Sequence, residues 1–495
     1  MGFHTLDLII ILAYLAGITL FGVSFRRRQH DLKDYFLGGR TTPWWAISLS
    51  IVAAETSILT IISTPGMAYS TDLAFLQLVL GYLVARVAIS LLLLPHYFRG
   101  EIFTAYELMQ RRFGGRVKAL SSLIFLVGRA LAEGVRVFAI SIVLGVVLES
   151  LRGLGWRLHL NEMQIIGIIA VLTFVYTFEG GLKAVIWTDF IQICIYVAGA
   201  VLSFVYLVRV EPGGWAAIAA LARAHGDKLR IFHFGFSWYK PYTFWSGLLG
   251  GTFLTLATDG TDQLIVQRLL SARSERESRW ALLSSWVVIC FQFVLFLLIG
   301  VALFAFYRTH PLPPAGGIGK FDRIYPEFIV TYLPTGVVGV LIAAIIAAAM
   351  SNLSAALNAL SSATIIDFYR PHLRPNRSEK HYLWAARVAT GGWTVVLALI
   401  AYASRHSHSV LQAGLTIVSF PFAGLLGIFL LGTLTKRANG RGAFIGLAVG
   451  VALAVGLYKL GLPFTWFIVF GTLTTFAVGY AVSWTWPEAA AVPQP

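Results

Sequence analysis

Acidic side chains are scarce in this chain: 23 Asp and Glu are outnumbered by 38 Lys and Arg among 495 residues. Charge of either sign makes up only 12%, about half the share of an ordinary soluble domain. That is too little to clothe the surface of a water-soluble fold of this length. Cysteine is nearly missing. Cys194 and Cys290 stand alone in apolar stretches, without a CxxC pair or a Cys/His cluster, so neither a disulfide framework nor a thiolate metal centre is indicated. No glycine-rich phosphate loop followed by Lys occurs, and no nucleophile–base constellation, which argues against an ATP-driven pump and against an enzyme. The net charge of +15 raises nucleic acid as a partner, but the basic residues lie in short loops between apolar runs. That distribution fits membrane topology better than a binding face, so no nucleic-acid partner is expected.

What the chain has in abundance is apolar residues, 57% of the total. Runs of roughly 20 recur along its length. They predict an all-α polytopic membrane protein with about thirteen transmembrane helices. These lie at 4–24, 43–68, 72–98, 117–149, 162–179, 183–208, 242–267, 280–306, 333–366, 382–403, 409–433, 441–459 and 462–483. Arg26, Arg27 and Arg28 follow the first run instead of preceding it, which marks a retained helix and not a signal peptide. Only Glu179, Gly180, Gly181 and Lys183 divide the fifth from the sixth. The odd-numbered loops hold most of the Lys and Arg, which places them in the cytoplasm, the N-terminus outside and the C-terminus inside. The longer even loops, 209–241 and 307–332, carry aromatics, Gly and Pro and either lie on the surface or fold over the outer mouth.

Several of these runs carry polar residues that a lipid-facing helix does not need. The first is AAETSILTIISTPG, residues 53–66. Hydroxyls can return to helix carbonyls, but Glu55 at mid-membrane costs roughly 2.5–3.5 kcal/mol unless it meets a partner or water. Pro65 and Gly66 weaken the helix and free backbone carbonyls. A ligand or ion site and a kinked helix packed through small residues are the two readings. The second is ATDGTDQ, Ala257–Gln263, where two carboxylates and a glycine interrupt the seventh run. It reads as a gate through Asp262 and Gln263, with Arg268 close by to answer the charge, or as a structural cap. The third is AAAMSNLSAALN, Ala347–Asn358, in which Ser351, Ser354 and Asn358 share a face among small residues. Their neutral oxygens suit Na+ better than a transition metal, although plain helix packing explains the same residues. In the fourth run Arg129, Glu133 and Arg136 also share a face. They form either an internal ion-pair ladder, with Glu55 among its members, or a guanidinium aimed at an organic anion. If Glu55 neutralises Arg129, a polyol or a zwitterion fits better. Arg86 lies in an apolar run too, and must reach a boundary or an internal acid.

Together, IWTDFIQ (Ile186–Gln192), GTDQ (Gly260–Gln263) with Gln267 and Arg268, and Met350–Asn358 followed by DFYRP (Asp367–Pro371) resemble the sodium/solute symporters across nearly the whole chain. That family includes bacterial proline, galactose and sialic-acid transporters. The resemblance implies a LeuT-like, inverted-repeat ten-helix core. It divides the chain into an extra N-terminal helix and loop (1–42), a first five-helix repeat (43–208), an extracellular loop (209–241), a second repeat (242–433), two C-terminal helices (434–486) and a short cytoplasmic tail (487–495). It implies Na+ as the bound cofactor, held by the carbonyls of Ala53, Thr56 and Ala348 and the side chains of Ser351 and Asn352. Asn352 stands where the family usually has Ser or Thr. A second ion site or ion path would use Asp189 and Ser354, but Ala355 lacks the oxygen such a site needs, so one coupled Na+ is expected. Matching to the sialic-acid branch puts Ser57, Thr60 and Arg129 on the solute. From their own positions, Glu55 and Glu133 join that pocket, and Phe75 and Gln77, just inside the third segment, shape its outer side.

The expected function is secondary active symport. Inward Na+ movement drives uptake of a small polar organic solute, such as a carboxylate, sugar or amino acid, by alternating access in a bacterial-type plasma (inner) membrane. The alternatives are H+ coupling through Glu55 or Asp189, and a solute sensor or channel that does not concentrate its ligand. The partners are the solute and the lipid bilayer; a monomer suffices for the function, and the oligomeric state is not legible.

Overall fold

The computed structural model describes residues 4–24, 32–99, 102–153, 162–310, 321–403 and 410–486. The Arg26–Arg28 cluster, the middle of the 307–332 loop and the 487–495 tail lie outside the described residues. Regular structure among the described residues is helical, with one isolated bridge between Thr42 and Ala272. Among the described residues nine helices are long and apolar enough to cross a membrane, or ten if one bent pair counts as a single span. The chain is an all-α, multi-pass membrane protein.

The N-terminal half comprises α1 (Thr5–Val23), α2 (Leu32–Leu37), α3 (Trp44–Glu55), α4 (Ile58–Ser70), α5 (Leu76–Leu92), α6 (Leu94–Tyr97), α7 (Tyr106–Phe113), α8 (Gly115–Gly153) and α9 (Glu162–Val210). The rest comprises α10 (Gly214–Ala224), α11 (Phe244–Gly260), α12 (Gln263–Leu270), α13 (Glu275–Thr309), α14 (Ile324–Tyr332), α15 (Val337–Ala363), α16 (Glu379–Ala403), α17 (Val410–Leu434), α18 (Gly440–Lys459) and α19 (Phe464–Thr485). A π-helical turn, Thr364–Leu373, follows α15.

Three of the thirteen expected segments fall short of that length and apolarity test among the described residues. The third is α5, with 17 residues. The fifth shares α9 with the sixth, and the backbone turns between them at Gly181 (φ 56°), a left-handed position where a side chain would be strained. The seventh breaks into α11 and α12 at Thr261–Asp262. The sequence breaks at 179–183 and 257–263 are thus real, and each subtracts length from a span.

α15 is the hub: 89% of its spanning window is buried, against 22% for α1 at the periphery. Around it, glycines let backbones meet. A Cβ on Gly251 of α11 would sit 2.3 Å from the Leu78 carbonyl of α5, and one on Gly300 of α13 would sit 2.2 Å from the Pro65 carbonyl of α4. Gly442, Gly446 and Gly450, spaced by four, lay α18 against α19 in the same way. The 209–241 segment is fastened over the junction of α4 and α5. Lys228 donates to the Tyr69 and Thr71 carbonyls at 2.8 and 3.0 Å, Leu73 N to Arg230 O at 3.1 Å, and His233 Nε2 lies 2.6 Å from Asp72.

Candidate functional site

The helix break that organises the site falls at Thr56–Ser57. Both residues are extended (ψ 96° and 167°), and α3 and α4 meet there at 62°. Pro65 and Gly66, from which the break was expected, lie inside α4 and pack against α13 and Phe321 instead. The break leaves the carbonyls of Ala53 and Thr56 without helical partners, and α15 passes beside them.

Four of the five expected sodium positions converge at this crossing. The Asn352 amide nitrogen donates to Thr56 O at 2.7 Å, to Ala348 O at 3.0 Å and to Ala53 O at 3.3 Å. An –NH2 group therefore occupies the focus of three carbonyls, and the amide oxygen turns away toward Arg136 Nη1 at 3.5 Å. The fifth position, Ser351, donates to Asp189 Oδ1 at 2.6 Å. The Thr56 hydroxyl is held by Gln292 of α13 at 2.8–3.0 Å.

Asp189 is fully buried and fully paired. It accepts from Ser50 at 2.5 Å, from Ser351 and from Arg268 Nη2 at 3.0 Å. Arg268 also donates to Ser50 Oγ and Leu264 O, both at 2.8 Å. The guanidinium that was expected to answer Asp262 thus answers Asp189. Ser354 turns back onto Ser351 O at 2.9 Å and does not join them.

The Arg129–Glu133–Arg136 ladder forms as the spacing predicts, with Glu133 Oε1 2.9 Å from Arg129 and 2.6 Å from Arg136. Its other acid is Asp262, not Glu55. Asp262 pairs with Arg129 Nη2 and caps α12 through Leu264 N at 2.9 Å. Glu55 instead pairs with Arg86 Nη2 at 2.5 Å, and Arg86 also lies 3.3 Å from Asp259. Fully buried charges persist only when paired in this way. Gln263 ties α12 to the α7 entry, accepting from Ala105 N at 2.8 Å and donating to Phe103 O at 2.9 Å and to Ser362 at 3.3 Å.

Beside the break lies a cavity of about 120 Å³, room for a small organic molecule. Glu55, Ser57, Thr60, Phe75 and Arg129 line it, as expected from sequence. Gln77 and Glu133 do not. Gln77 is buried under the 209–241 segment, donating to Tyr242 O at 3.1 Å and accepting from His233 N at 2.9 Å, and Glu133 stands behind the arginines. Sequence reading missed Asp259, Tyr82, Phe293 and Arg136 as lining, and Ser50 as a partner of Asp189. Asp259 was visible as the first carboxylate of ATDGTDQ; the aromatic walls carried no local signal.

The model of the sodium:solute symporter family matches residues 35–450. The sodium/sialic acid symporter of Proteus mirabilis is 30% identical over 96% of this chain and 94% of its own length. That of Aliivibrio fischeri is 28% identical over 97% and 93%. The human sodium/iodide cotransporter is 30% identical over 90% of this chain and 68% of its own length. Among solved structures, a Na+-coupled sialic acid symporter in a substrate-bound outward-open state superposes with a TM-score of 0.85 at 28% identity, covering 98% of both chains.

Proposed function

Because the chain belongs to the sodium:solute symporter family, we propose a cycle for it built on the α3/α4–α15 crossing. The chain is a Na+-coupled secondary active symporter of a small polar organic solute, working in a lipid bilayer, and a carrier rather than an enzyme. Na+ enters the cradle formed by the carbonyls of Ala53, Thr56 and Ala348, with Ser351 Oγ as a fourth oxygen. The Asn352 amide vacates the focus as the ion arrives, and by turning end for end it presents its oxygen as a fifth ligand. One ion is coupled. Asp189, already neutralised by Arg268, serves the path of ion release and not a second site.

Solute occupies the adjoining cavity against Ser57, Thr60, Phe75 and Arg129. Since the broken α3–α4 pair bounds both sites, ion and solute each favour the same closed arrangement, and each raises the other's affinity by the same factor. Asp262 and Gln263 gate the inner side, because α12 must part from α8 and α7 for release. The ten-helix, LeuT-like core comprises 43–208 and 242–433 as inverted repeats. Residues 1–42 and 434–486 are additions, 209–241 is an outer loop and 487–495 a cytoplasmic tail. The basic loops face the cytoplasm of a bacterial-type inner membrane, leaving the N-terminus outside. A single copy carries out the cycle.

The observation that carries this reading is the convergence of three carbonyls from two helices at a break beside a polar cavity. Radiolabelled uptake into proteoliposomes, with Na+ and pH gradients imposed separately, tests it. Accumulation above equilibrium driven by Na+ alone is expected; uptake driven only by a pH gradient, or mere equilibration, would reject it.

A further inference from the structure

Where the π-helical turn Thr364–Leu373 runs on into α16, the chain crowds its cations. Arg370, Arg374, Arg377 and Lys380 are all exposed, and among the described residues none of the four has an ion-pair partner. The one acid between Arg370 and Lys380 is drawn away from them, since Glu379 Oε2 accepts from Leu32 N at 3.3 Å. Tyr382, itself 1% exposed, holds the connection in shape. Its hydroxyl donates to Arg374 O at 2.7 Å and accepts from Arg377 N at 3.1 Å, and the Arg370 guanidinium lies over its ring, 5.3 Å from the centroid. Between Arg374 and Arg377 the backbone turns through a left-handed Asn376 (φ 56°).

These cations border lipid. Trp384, Val388, Val395 and Leu399 of α16 are each more than half exposed and share one face, which is the face that meets hydrocarbon. Lys380 stands one turn before Trp384 on that face. Tryptophan marks the boundary between hydrocarbon and headgroups, so Lys380 and the arginines before it stand at headgroup level. Leu373, an apolar side chain 67% exposed, sits between Arg370 and Arg374.

We propose that this surface holds an anionic phospholipid of the bordering leaflet, its headgroup phosphate on Arg370, Arg374, Arg377 and Lys380 and its acyl chains against Leu373 and Trp384. Guanidinium forks match phosphate oxygens, and each Lys or Arg beside an anionic surface raises affinity about fivefold. A zwitterionic headgroup brings a cation of its own, which four unpaired cations repel. A soluble phosphate would use the charges but leave Leu373 and Trp384 uncovered. The same turn reaches inward: Asp367 accepts from Thr104 and Ser122, each at 2.8 Å, and lies 3.2 Å from Lys118 Nζ. A lipid seated on its outer end therefore steadies the junction of the turn with α8 and the entry to α7, and its binding reads out as thermal stabilisation.

The test is a thermal-shift titration of the full chain in detergent with dioctanoyl phosphatidylglycerol, dioctanoyl phosphatidylcholine, glycerol phosphate and inorganic phosphate. Phosphatidylglycerol should stabilise at a concentration about tenfold or more below that of phosphatidylcholine, and neither soluble phosphate should match it. Arg374→Gln/Arg377→Gln/Lys380→Gln should shrink the preference to less than about threefold. Arg273→Gln/Arg276→Gln/Lys436→Gln, which removes as much charge from other basic loops, should keep it. All six side chains are exposed, so the melting temperature without lipid is the control for folding. Should the first triple variant melt early, its single substitutions carry the test, and each should lose part of the preference. The proposal is overturned if phosphatidylcholine binds as well or if the preference survives the first set of substitutions. It is overturned too if the second set abolishes it equally, since net charge alone would then suffice, or if a soluble phosphate stabilises as much as the lipid.

Discussion

Replacing Asn352 by serine tests the cradle most directly. In the structure its amide nitrogen donates to three carbonyls at 2.7, 3.0 and 3.3 Å, so the group competes with any cation for the same oxygens. A net hydrogen bond is worth about 0.5–1.5 kcal/mol, and the –NH2 group has only two protons for the three carbonyls. Withdrawing it therefore costs about 1–3 kcal/mol before Na+ gains anything. Serine removes the competitor and offers a compact hydroxyl oxygen in its place. Asn352→Ser should then lower the half-saturating Na+ concentration by about 5- to 150-fold. Na+ titrations of thermal stability and of solute uptake would measure it. Asn352→Ala, which removes competitor and ligand together, should move it far less. An unchanged or weakened Na+ response in Asn352→Ser would refute the reasoning, because the amide nitrogen would then cost the ion nothing as a competitor.

Ser351→Ala should weaken Na+ binding several-fold, since it removes one ligand and one hydrogen bond to Asp189; an unaltered ion titration would reject that role. Arg129→Ala should abolish solute binding and, by stranding Asp262 while Glu133 keeps Arg136, lower stability by about 3–5 kcal/mol, whereas Arg129→Lys should recover most of the stability but little of the affinity. Unchanged solute affinity in Arg129→Ala would remove it from the pocket. Arg268→Gln and Asp189→Asn should each destabilise strongly, and the double substitution by less than the sum, as a double-mutant cycle on melting temperature would reveal. Gly251→Ala places a methyl 2.3 Å from a backbone carbonyl, so the melting temperature should fall and the monodisperse fraction with it.

The spans were legible in the sequence because hydrocarbon selects long apolar runs, and the helix breaks were legible wherever glycine or carboxylate interrupted one. Their depth was not. Proline at 65 drew attention from the true break at Thr56–Ser57, which no breaker residue marks; tertiary contacts from Gln292 and Asn352 hold that backbone extended. Ion-pair partners were the least legible feature. Sequence proximity suggested Arg268 for Asp262, but helix geometry sends the two side chains to different neighbours, Asp189 and Arg129. The i, i+4 pair Arg129–Glu133 could be read correctly because both members lie on one helix. Pairs such as Arg86–Glu55 and Arg86–Asp259 depend on how separate helices cross, which one chain without its fold does not disclose.

The charges of α11 and α12 also bear on how the chain is made. Asp259, Asp262 and Arg268 emerge from the ribosome within ten residues of one another, and each ends against a residue synthesised earlier: Arg86, Arg129 and Asp189 respectively. Left alone in lipid, that segment would carry three unmatched charges, at several kcal/mol in total. Insertion of that segment as an independent helix is thereby disfavoured, and the helices translated before it carry the partners that match its charges, so the order of translation supplies each partner ahead of the charge that needs it.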